Sequence, residues 1–364
     1  MIDRSKLRIF ILGNDSPGNG GDCYAQSLRR MGHTVEHVND WIGLGHYSRG
    51  YTWRVYRHLT ASIWPRHQKT YAREVACRIS AFGADLFIAL GGLHLTAADI
   101  RSIRARGIWT CNLNHDDFRS RYRLNKSRIQ WEAIPAYDQI LTTRECNVEE
   151  IRPLNPNVEF FQFAYDPMVH RPVPIPDEER EQWGVDVVFV GTYAPQRAQL
   201  MQRLVQAVPA SYAIHGDWSK LAVGSPLRPY VRKGNIFRDD LCKAIGGAKI
   251  ALGFLRKENR DDYTQRTFEI PACGGLMLME RTDRQTSWYR EGFEAEFFDP
   301  DHPTELIEKV KSLLADPQRR ERIRTAGMTA VKSMPHTYDD RIGRLLTLFA
   351  TAQHSTPVFE KATA

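Results

Sequence analysis

The sequence predicts an α/β protein with two doubly wound domains, each built on a parallel β-sheet that carries helices on both faces. Three observations support this fold class. The chain has 364 residues, enough for two domains with separate cores. Short apolar runs alternate with amphipathic helical patterns in both halves, and a proline-rich stretch divides the two series. The alternation favours parallel strands because each crossover helix returns the chain in the same direction.

The first domain is assigned to residues 1–168. Its opening run, LRIFILG, is predicted to be a buried strand that leads through a glycine-rich loop into a helix ending at Gly32. Further strands are predicted at DLFIALGG (85–92), IWTCNLN (108–114) and YDQILTTR (137–144). Helical patterns follow the first and the last of these runs, as a doubly wound sheet requires.

Prolines mark the end of this domain. The stretch contains Pro167, Pro172, Pro174 and Pro176. Residues 169–183 are therefore predicted to form a linker. The alternation of strand and helix restarts in a second domain, assigned to residues 184–335. A terminal helix is predicted at 336–352, and residues 353–364 are expected to be disordered.

Composition narrows the class of protein. Hydrophobic residues make up 42% and charged residues 26% of the chain, the balance of a globular enzyme. No apolar run reaches the roughly 18 residues that span a bilayer, and no signal-peptide cleavage pattern is seen, so a cytoplasmic protein is expected. The six cysteines form no CxxC pair and no zinc-type cluster, which predicts free thiols and no structural metal. A formal charge of +7 weakly favours an anionic partner such as a nucleotide, a nucleic acid or a membrane surface.

The segment TFEIPACGG places a carboxylate inside an apolar run. Glu269 is predicted to lie early in a short helix, with Thr264 as its N-cap and Gly274 as its stop. Pro271 lacks an N–H and makes this helix irregular. A carboxylate can accept both hydroxyls of a vicinal diol such as that of a ribose. The alternative is an ordinary helix ion pair with Arg266, three residues earlier.

The span from about 185 to 345 resembles the C-terminal domain of GT-B glycosyltransferases, most closely the spore maturation protein-like (CgeB-like) group-1 enzymes. The residues that carry the resemblance are FLRKENRDDYTQRTFEIPACGGLML, with VDVVFVGTYAPQR upstream and FFDPDHPTELIEKVKSLLADPQRRERIRTAG downstream. The N-terminal half fits through NHDDF and YDQILTTRECN. The resemblance implies the GT-B fold, in which two Rossmann-like domains face a central cleft and the terminal helix crosses back to the N-terminal domain.

The resemblance also implies residues that bind a nucleotide-sugar donor. It implies two acidic residues with seven between them, a separation that Asp261 and Glu269 have, the second holding the nucleotide ribose. The first position departs from the family in being Asp rather than Glu. Arg197 stands where the family places a phosphate-binding cation, with Arg266 and Lys257 as second choices, and an ordinary solvated charge is the alternative for each. The full set of predicted donor-binding residues is Thr192, Tyr193, Arg197, Trp218, Lys257, Arg266, Glu269 and Gly274.

Trp218 and Phe237 lie in loops that border the base in similar enzymes. Both can equally be core aromatics, and the core is the preferred interpretation for Phe237.

Catalytic groups are sought in loops that follow the strands. If the reaction inverts the anomeric centre, a base must deprotonate the acceptor, and the candidates are Asp22, His94, His115 and Asp116. His94 and Asp116 are preferred, and a structural histidine is the alternative for His94. Asp261 completes the set of candidate catalytic residues. The glycine-rich GNGGD loop lacks the GxGxxG pattern and is expected to let the backbone approach the donor diphosphate or the acceptor.

The sequence thus predicts a metal-independent glycosyltransferase without a cofactor. Its expected partners are a nucleotide-sugar donor and a glycan, lipid-linked or small-molecule acceptor, with no nucleic acid, and its charge also allows peripheral association with a membrane. Two alternatives stay open. A nucleotide-sugar 2-epimerase would use the same ribose contact without an acceptor, and a noncatalytic glycan or surface interaction protein would tolerate the loss of Arg197, Arg266 and Glu269.

Overall fold

A computed structural model of the chain describes residues 6–40, 64–92, 94–119, 127–232 and 234–355. The chain divides into two compact units. Unit 1 comprises Met1–Gln162 with Tyr338–Ala364, and unit 2 comprises Phe163–Thr337. Across the described ranges, no helix is both long enough and apolar enough to cross a membrane.

Unit 1 is built on a parallel sheet that has six strands in its described part. They are β1 (Arg8–Leu12), β2 (Thr34–Val38), β3 (Leu86–Leu90), β4 (Trp109–Asn114), β5 (Gln139–Thr142) and β6 (Val158–Phe160). Their order in the sheet is β2-β1-β3-β4-β5-β6. The helices between them are α1 (Gly20–Arg30), α2 (Trp64–Phe82), α3 (Ala97–Arg104), α4 (Ser127–Ala133) and α5 (Glu145–Ile151).

Burial explains why the apolar runs of unit 1 form strands. All residues of β4 are buried, and only the first residue of β1 is exposed. Strands covered by helices on both faces have this continuous burial. The edge strand β2, with the more polar sequence TVEHV, is only partly buried. Phe10, Phe87 and Ile140 from the sheet pack with Ile100 and Ile103 from α3 in one core.

Unit 2 repeats this plan with a parallel sheet of five strands in the part that the structure describes. They are β7 (Val187–Val190), β8 (Tyr212–His215), β9 (Ile250–Gly253), β10 (Met277–Glu280) and β11 (Glu296–Phe298). Their order is β11-β10-β9-β7-β8. The helices are α6 (Arg180–Trp183), α7 (Pro195–Ala207), α8 (Arg238–Gly247), α9 (Arg266–Ala272), α10 (Asp283–Trp288), α11 (Pro303–Ala315) and α12 (Pro317–Ser333).

The two sheets share one strand order. In each, the first strand lies between the second and the third, so the winding reverses between β1 and β3 in unit 1 and between β7 and β9 in unit 2. The predicted class of two doubly wound parallel sheets is confirmed. Ligands of open α/β sheets bind outside the carboxyl ends of the strands at such a reversal, which directs attention to the loops after β7 and β9.

The division between the units differs from the predicted linker at 169–183. It falls between Gln162 and Phe163, and the proline-rich segment belongs to unit 2. His170 and Trp183 within this segment are buried. The prolines predict a linker, but the side chains of His170 and Trp183 pack into unit 2 and hold the segment there.

The terminal helix, α13 (Tyr338–Ser355), belongs to unit 1. The hydroxyl of Ser27 on α1 donates a hydrogen bond to Asp339 at 2.5 Å, and the rings of Tyr24 and Tyr338 meet edge to face at 4.7 Å. The helix continues past the predicted end at 352, so residues 353–355 of the expected disordered tail are helical. The remainder of that tail, 356–364, lies outside the described residues.

Removing the contact between α1 and α13 has a testable cost. Ser27→Ala is expected to lower the free energy of unfolding of unit 1 by about 1 kcal/mol, because a buried hydroxyl loses its hydrogen bond to a carboxylate. Asp339 keeps Arg30, 2.6 Å away, as a partner. Urea titration followed by circular dichroism measures the loss. The control is Thr347→Ala on α13, whose exposed hydroxyl bonds Gly343 and whose loss should stay within about 0.5 kcal/mol. Equal effects for both variants would contradict the prediction.

Candidate functional site

The helix predicted around Glu269 is present as α9, close to the carboxyl end of β7. Gly274 ends it with a φ of +76°, a left-handed conformation that favours glycine. Gln265, rather than the predicted Thr264, is the N-cap residue, and the Thr264 hydroxyl instead accepts the N–H of Arg266 at 3.2 Å. Pro271 lies inside the helix, as the sequence requires. Seven residues of helix thus present Glu269 in its first turn.

The carboxylate of Glu269 is buried, with 2% of its side chain exposed. One oxygen, Oε2, accepts a hydrogen bond from Nη1 of Arg266. The other, Oε1, lies 3.2 Å from Nε2 of His170. The ion pair that the sequence offered as an alternative is therefore present, but it is buried rather than solvated. Ribose binding by Glu269 stays a prediction. These contacts are compatible with it, because a carboxylate oxygen with one partner retains a further lone pair.

His170 was not predicted as a site residue. Its Nδ1 accepts the backbone N–H of Asp166 at 2.9 Å, and burial lowers the pKa of the ring to about 4. The ring is therefore neutral near pH 7, and since Nδ1 is an acceptor the proton lies on Nε2, facing Glu269. No motif marks His170, which lies in the segment that its prolines assigned to a linker.

Arg266 connects this carboxylate to the sheet. Besides its contact with Glu269, its Nε donates to the carbonyl of Val190, the last residue of β7, at 3.2 Å. Its side chain is 28% exposed. A partly exposed arginine at the carboxyl end of a central strand can bind an anionic group there.

Arg197 lies near the start of α7, but its guanidinium faces the protein. It donates to the carbonyl of Thr192 at 3.0 Å and to the carbonyl of Phe254 at 3.1 Å. These residues belong to the loops that follow β7 and β9, so Arg197 joins the two loops at the reversal of strand order. The side chain is 7% exposed, and this burial lowers its pKa.

Asp261 and Lys257 lie in the loop after β9. The carboxylate of Asp261 is buried and accepts the N–H of Arg256 at 3.2 Å and the amide of Asn259 at 2.8 Å. It thereby holds its own loop, in which Arg260 takes a left-handed conformation with φ +48°. Lys257 makes an exposed ion pair with Asp301 at 3.0 Å. This exposed pair matches the solvated alternative given for Lys257, and donor binding by Lys257 stays a prediction.

The predicted aromatic residues divide between core and surface. Trp218 is 2% exposed, donates its indole N–H to Gly191 at 2.9 Å and meets the rings of Phe189 and Tyr193 edge to face. It is a core aromatic that supports the loop containing Thr192 and Tyr193. The sequence favours the core for Phe237, which is instead 45% exposed at the N-cap of α8, just before the first turn of that helix.

The candidate bases follow strands of unit 1, three of them in loops and Asp22 in a helix rather than in the predicted loop. Asp22, in the first turn of α1, accepts the N–H of Gly18 at 2.8 Å. His94 is buried against the ring of Tyr71, with centroids 5.6 Å apart.

Asp116 follows β4, and its N–H donates to the side-chain oxygen of Asn114. His115 is partly buried beside the hydroxyl of Tyr24 at 3.2 Å, and desolvation of its ring lowers its pKa to about 4. Among the described residues, no group of three or more His, Cys, Asp or Glu is placed to hold a metal ion.

Glu280 is a second residue that the sequence analysis missed. It ends β10, is 6% exposed, and its burial raises the pKa of the carboxyl to about 7. The backbone N–H of Leu255 and the charge of Arg197 moderate that rise. The available signal was a carboxylate at the end of the buried run LMLME. Strongly perturbed carboxyl groups at strand ends are common in functional sites.

The pKa of Glu280 predicts a change of stability with pH. Because the folded pKa lies above the ordinary value of 4.5, the folded chain keeps a proton that the unfolded chain releases. The stabilisation from protonated Glu280 is complete below about pH 4.5 and is lost as the pH rises through about 7. Glu280→Gln, which never ionises, should exceed the wild type in stability by about 1–3 kcal/mol at pH 8 and match it near pH 5. Urea titrations across this range measure the difference, and the exposed Glu308→Gln is the control. A difference that is constant with pH would contradict the shift.

Known proteins resemble this chain in architecture and in part of its sequence. Residues 196–347 match a family model described as "Glycosyl transferase-like". No curated protein matches the chain.

Similar solved structures include sucrose-phosphate synthase from Thermosynechococcus elongatus, with a TM-score of 0.69 and 11% identity over 96% of this chain and 100% of that one. HepE of Anabaena, solved with UDP-glucose, has a TM-score of 0.65 and 12% identity over 96% and 100%. A putative UDP-N-acetylglucosamine 2-epimerase from Listeria monocytogenes has a TM-score of 0.59 and 9% identity over 96% and 98%. At these identities the likeness shows the fold, and the fold is GT-B.

Proposed function

We propose that the chain is a glycosyltransferase that moves a sugar from a nucleotide-sugar donor to a glycan, lipid-linked or small-molecule acceptor. The observation that carries this proposal is the buried carboxylate of Glu269 between Arg266 and His170, at the carboxyl end of β7. It lies within the region that matches the glycosyltransferase-like model. A buried hydrogen-bond acceptor beside a partly exposed arginine suits a ribose that is joined to a diphosphate.

The donor is held by groups of two kinds. Glu269 accepts the ribose hydroxyls, and Arg266 binds the diphosphate while its Nε keeps its hydrogen bond to the carbonyl of Val190. The leaving nucleoside diphosphate gains negative charge as the glycosyl bond breaks, and a positioned guanidinium stabilises that charge. Arginine supplies this charge without a metal, so the reaction is proposed to be independent of metal and cofactor.

The two remaining groups of candidates have supporting roles in this proposal. Asp261 orders the loop after β9, and from there it shapes the space next to the donor sugar. His94 and Asp116 of unit 1 remain the proposed acceptor-side residues, with Asp22 as the residue that orders the glycine-rich loop.

We also propose membership of the CgeB-like subgroup, on the motif around Glu269, and a cytoplasmic location.

A panel of nucleoside diphosphates tests the proposal. A ligand at 100 times its dissociation constant stabilises the folded chain by about 2.7 kcal/mol, so the correct nucleotide should raise the melting temperature of the full chain clearly above the others. The matching nucleotide-sugars are then incubated with acceptor glycans, with and without EDTA. Sugar transfer that survives EDTA supports the proposal.

The two alternatives predict other outcomes in the same experiment. An epimerase converts the nucleotide-sugar to its 2-epimer when no acceptor is present, and the Listeria structure shares this fold at a TM-score of 0.59. A noncatalytic interaction protein binds none of the nucleotides, and that result would overturn the proposal. Loss of transfer in EDTA would overturn only its metal independence.

A further inference from the structure

Two cysteine side chains meet next to the helix that carries Glu269. Cys242 lies on α8 and Cys273 caps the carboxyl end of α9, and their Sγ atoms are 3.5 Å apart. Both residues are fully buried. The backbones approach closely at this point, because a Cβ atom on Gly246 would lie 3.0 Å from the carbonyl oxygen of Cys273. The fold therefore holds Cys242 and Cys273, the thiol pair, in contact without a bond between them.

The two sulphurs have different surroundings. Cys242 receives hydrogen bonds from the S–H of Cys273 and from the backbone N–H of Arg171, and its own S–H reaches the carbonyl of Val169 at 3.1 Å. The bond from Cys273 is the main cause that lowers the pKa of Cys242, to about 7, while the same bond and burial raise the pKa of Cys273. Cys242 thus loses its proton more readily than Cys273, which is the arrangement of an attacking and a resolving cysteine.

A cavity lies against Cys273, one member of this pair. It has a volume of about 490 Å³, and its lining includes Cys273 together with Pro172, Ile175, Arg180, Gly247 and Arg324. This volume admits a molecule as small as hydrogen peroxide with room to spare. We propose that Cys242 and Cys273 form a peroxide-sensitive thiol pair that closes to a disulfide and alters the neighbouring Glu269 site.

The chemistry balances with one peroxide for each pair. The thiolate of Cys242 attacks a peroxide oxygen, the O–O bond breaks, and Cys242 becomes a sulfenic acid while water leaves after protonation. The sulphur of Cys273 then attacks the sulfenic sulphur, an S–S bond forms, and the hydroxyl leaves as water with the proton of Cys273. Two thiols and one hydrogen peroxide thus give one disulfide and two waters.

Closure of the bond changes contacts that lead to Glu269. The S–H of Cys242 no longer donates to Val169, whose neighbour His170 lies 3.2 Å from the carboxylate of Glu269. The bond also fixes the end of α9 to α8. Small displacements of a binding group have large effects, so oxidation is expected to weaken nucleoside diphosphate binding about 10-fold or more. This consequence rests on the proposed function, whereas formation of the disulfide does not.

Peptide mapping tests the bond itself. The reduced full chain is treated with hydrogen peroxide, free thiols are alkylated, and peptides are analysed by mass spectrometry. A Cys242–Cys273 crosslink that dithiothreitol reverses is the expected product, and Cys242→Ser and Cys273→Ser must abolish it. Cys77→Ser, which removes an exposed thiol in unit 1, must leave it intact. Oxidation of Cys77 while the pair stays reduced would overturn the inference.

Calorimetric titration with the best nucleoside diphosphate then compares reduced and oxidised chain. The expected result is weaker binding after oxidation in the wild type and in Cys77→Ser, and unchanged binding in Cys242→Ser. Crosslinked chain that binds as tightly as reduced chain would overturn the link to Glu269. If even the reduced chain binds none of the nucleotides, the proposed function fails, while the mapping still decides whether the pair is peroxide-sensitive.

Discussion

Glu269→Ala is expected to weaken binding of the correct nucleoside diphosphate about 30- to 1,000-fold. Hydrogen bonds to a charged group contribute roughly 1.5–3 kcal/mol each, and water partly replaces them, so the loss of a carboxylate that accepts two hydroxyls costs about 2–4 kcal/mol of binding. The burial of Glu269, at 2% exposure, places the carboxylate where water competes least. Isothermal titration calorimetry of the folded variant measures the change in dissociation constant.

Two further variants separate charge from shape. Glu269→Gln should fall between wild type and Glu269→Ala, because its amide keeps one acceptor oxygen and no charge. Glu308→Ala removes an exposed carboxylate of α11 and should leave the affinity unchanged. If the Arg266–Glu269 pair only stabilised the helix, by about 0.2–0.5 kcal/mol, Glu269→Ala would bind within about threefold of wild type. That result would remove Glu269 from the donor site.

The role of His170 in nucleotide binding can be tested by the same titrations. If it acts by orienting Glu269, His170→Ala weakens binding in the wild type and adds almost nothing in the Glu269→Ala background. His170→Gln, whose amide N–H can occupy the place of Nε2, should restore part of the affinity. Equal losses in both backgrounds would show that His170 acts independently of Glu269.

The sequence predicted those features of the site that depend on local pattern. The alternation of apolar runs and helices specified two parallel sheets, since each run is buried on both faces. The helix at Glu269 and its stop at Gly274 follow from short-range rules about glycine and helix ends. The pairing of Glu269 with Arg266 could be anticipated as an alternative, because residues three apart share a helix face.

Contacts between distant segments were not predictable in the same way. His170 reaches Glu269 across a gap of 99 residues, and nothing in the proline-rich segment specifies which of its side chains turns inward. Burial of Glu280 depends on the loop of Leu255 and on Arg197, which approach it only in the folded chain. The sequence predicts the position of Arg197 near the start of a helix, but not the direction of its guanidinium. That direction depends on the carbonyl groups of Thr192 and Phe254, which lie in two loops far apart in the sequence.

The orientation of Arg197 leads to the second large effect. Arg197→Ala is expected to lower the free energy of unfolding of unit 2 by about 2–4 kcal/mol, because the carbonyls of Thr192 and Phe254 lose their donors in a buried environment. For a unit of this size the loss corresponds to a fall in melting temperature of roughly 4–16 °C. Arg197→Lys keeps the charge but cannot fork between two carbonyls, so it should recover less than half of the stability. Differential scanning calorimetry measures both variants.

The same measurement decides between two roles for Arg197. The control is Arg203→Ala, an exposed arginine on the same helix α7, which should change stability by no more than about 0.5 kcal/mol. If Arg197 joins the loops after β7 and β9, its removal lowers stability even without nucleotide, and nucleotide binding falls with it because the loops lose their order. The sequence-based role as a direct phosphate ligand predicts the opposite pattern, with normal stability and weakened binding. The contrary result is an Arg197→Ala variant that has the same melting temperature as the control and loses only affinity for the diphosphate. That result would show that Arg197 binds the diphosphate directly, and Arg266 would no longer be the principal cation of the site.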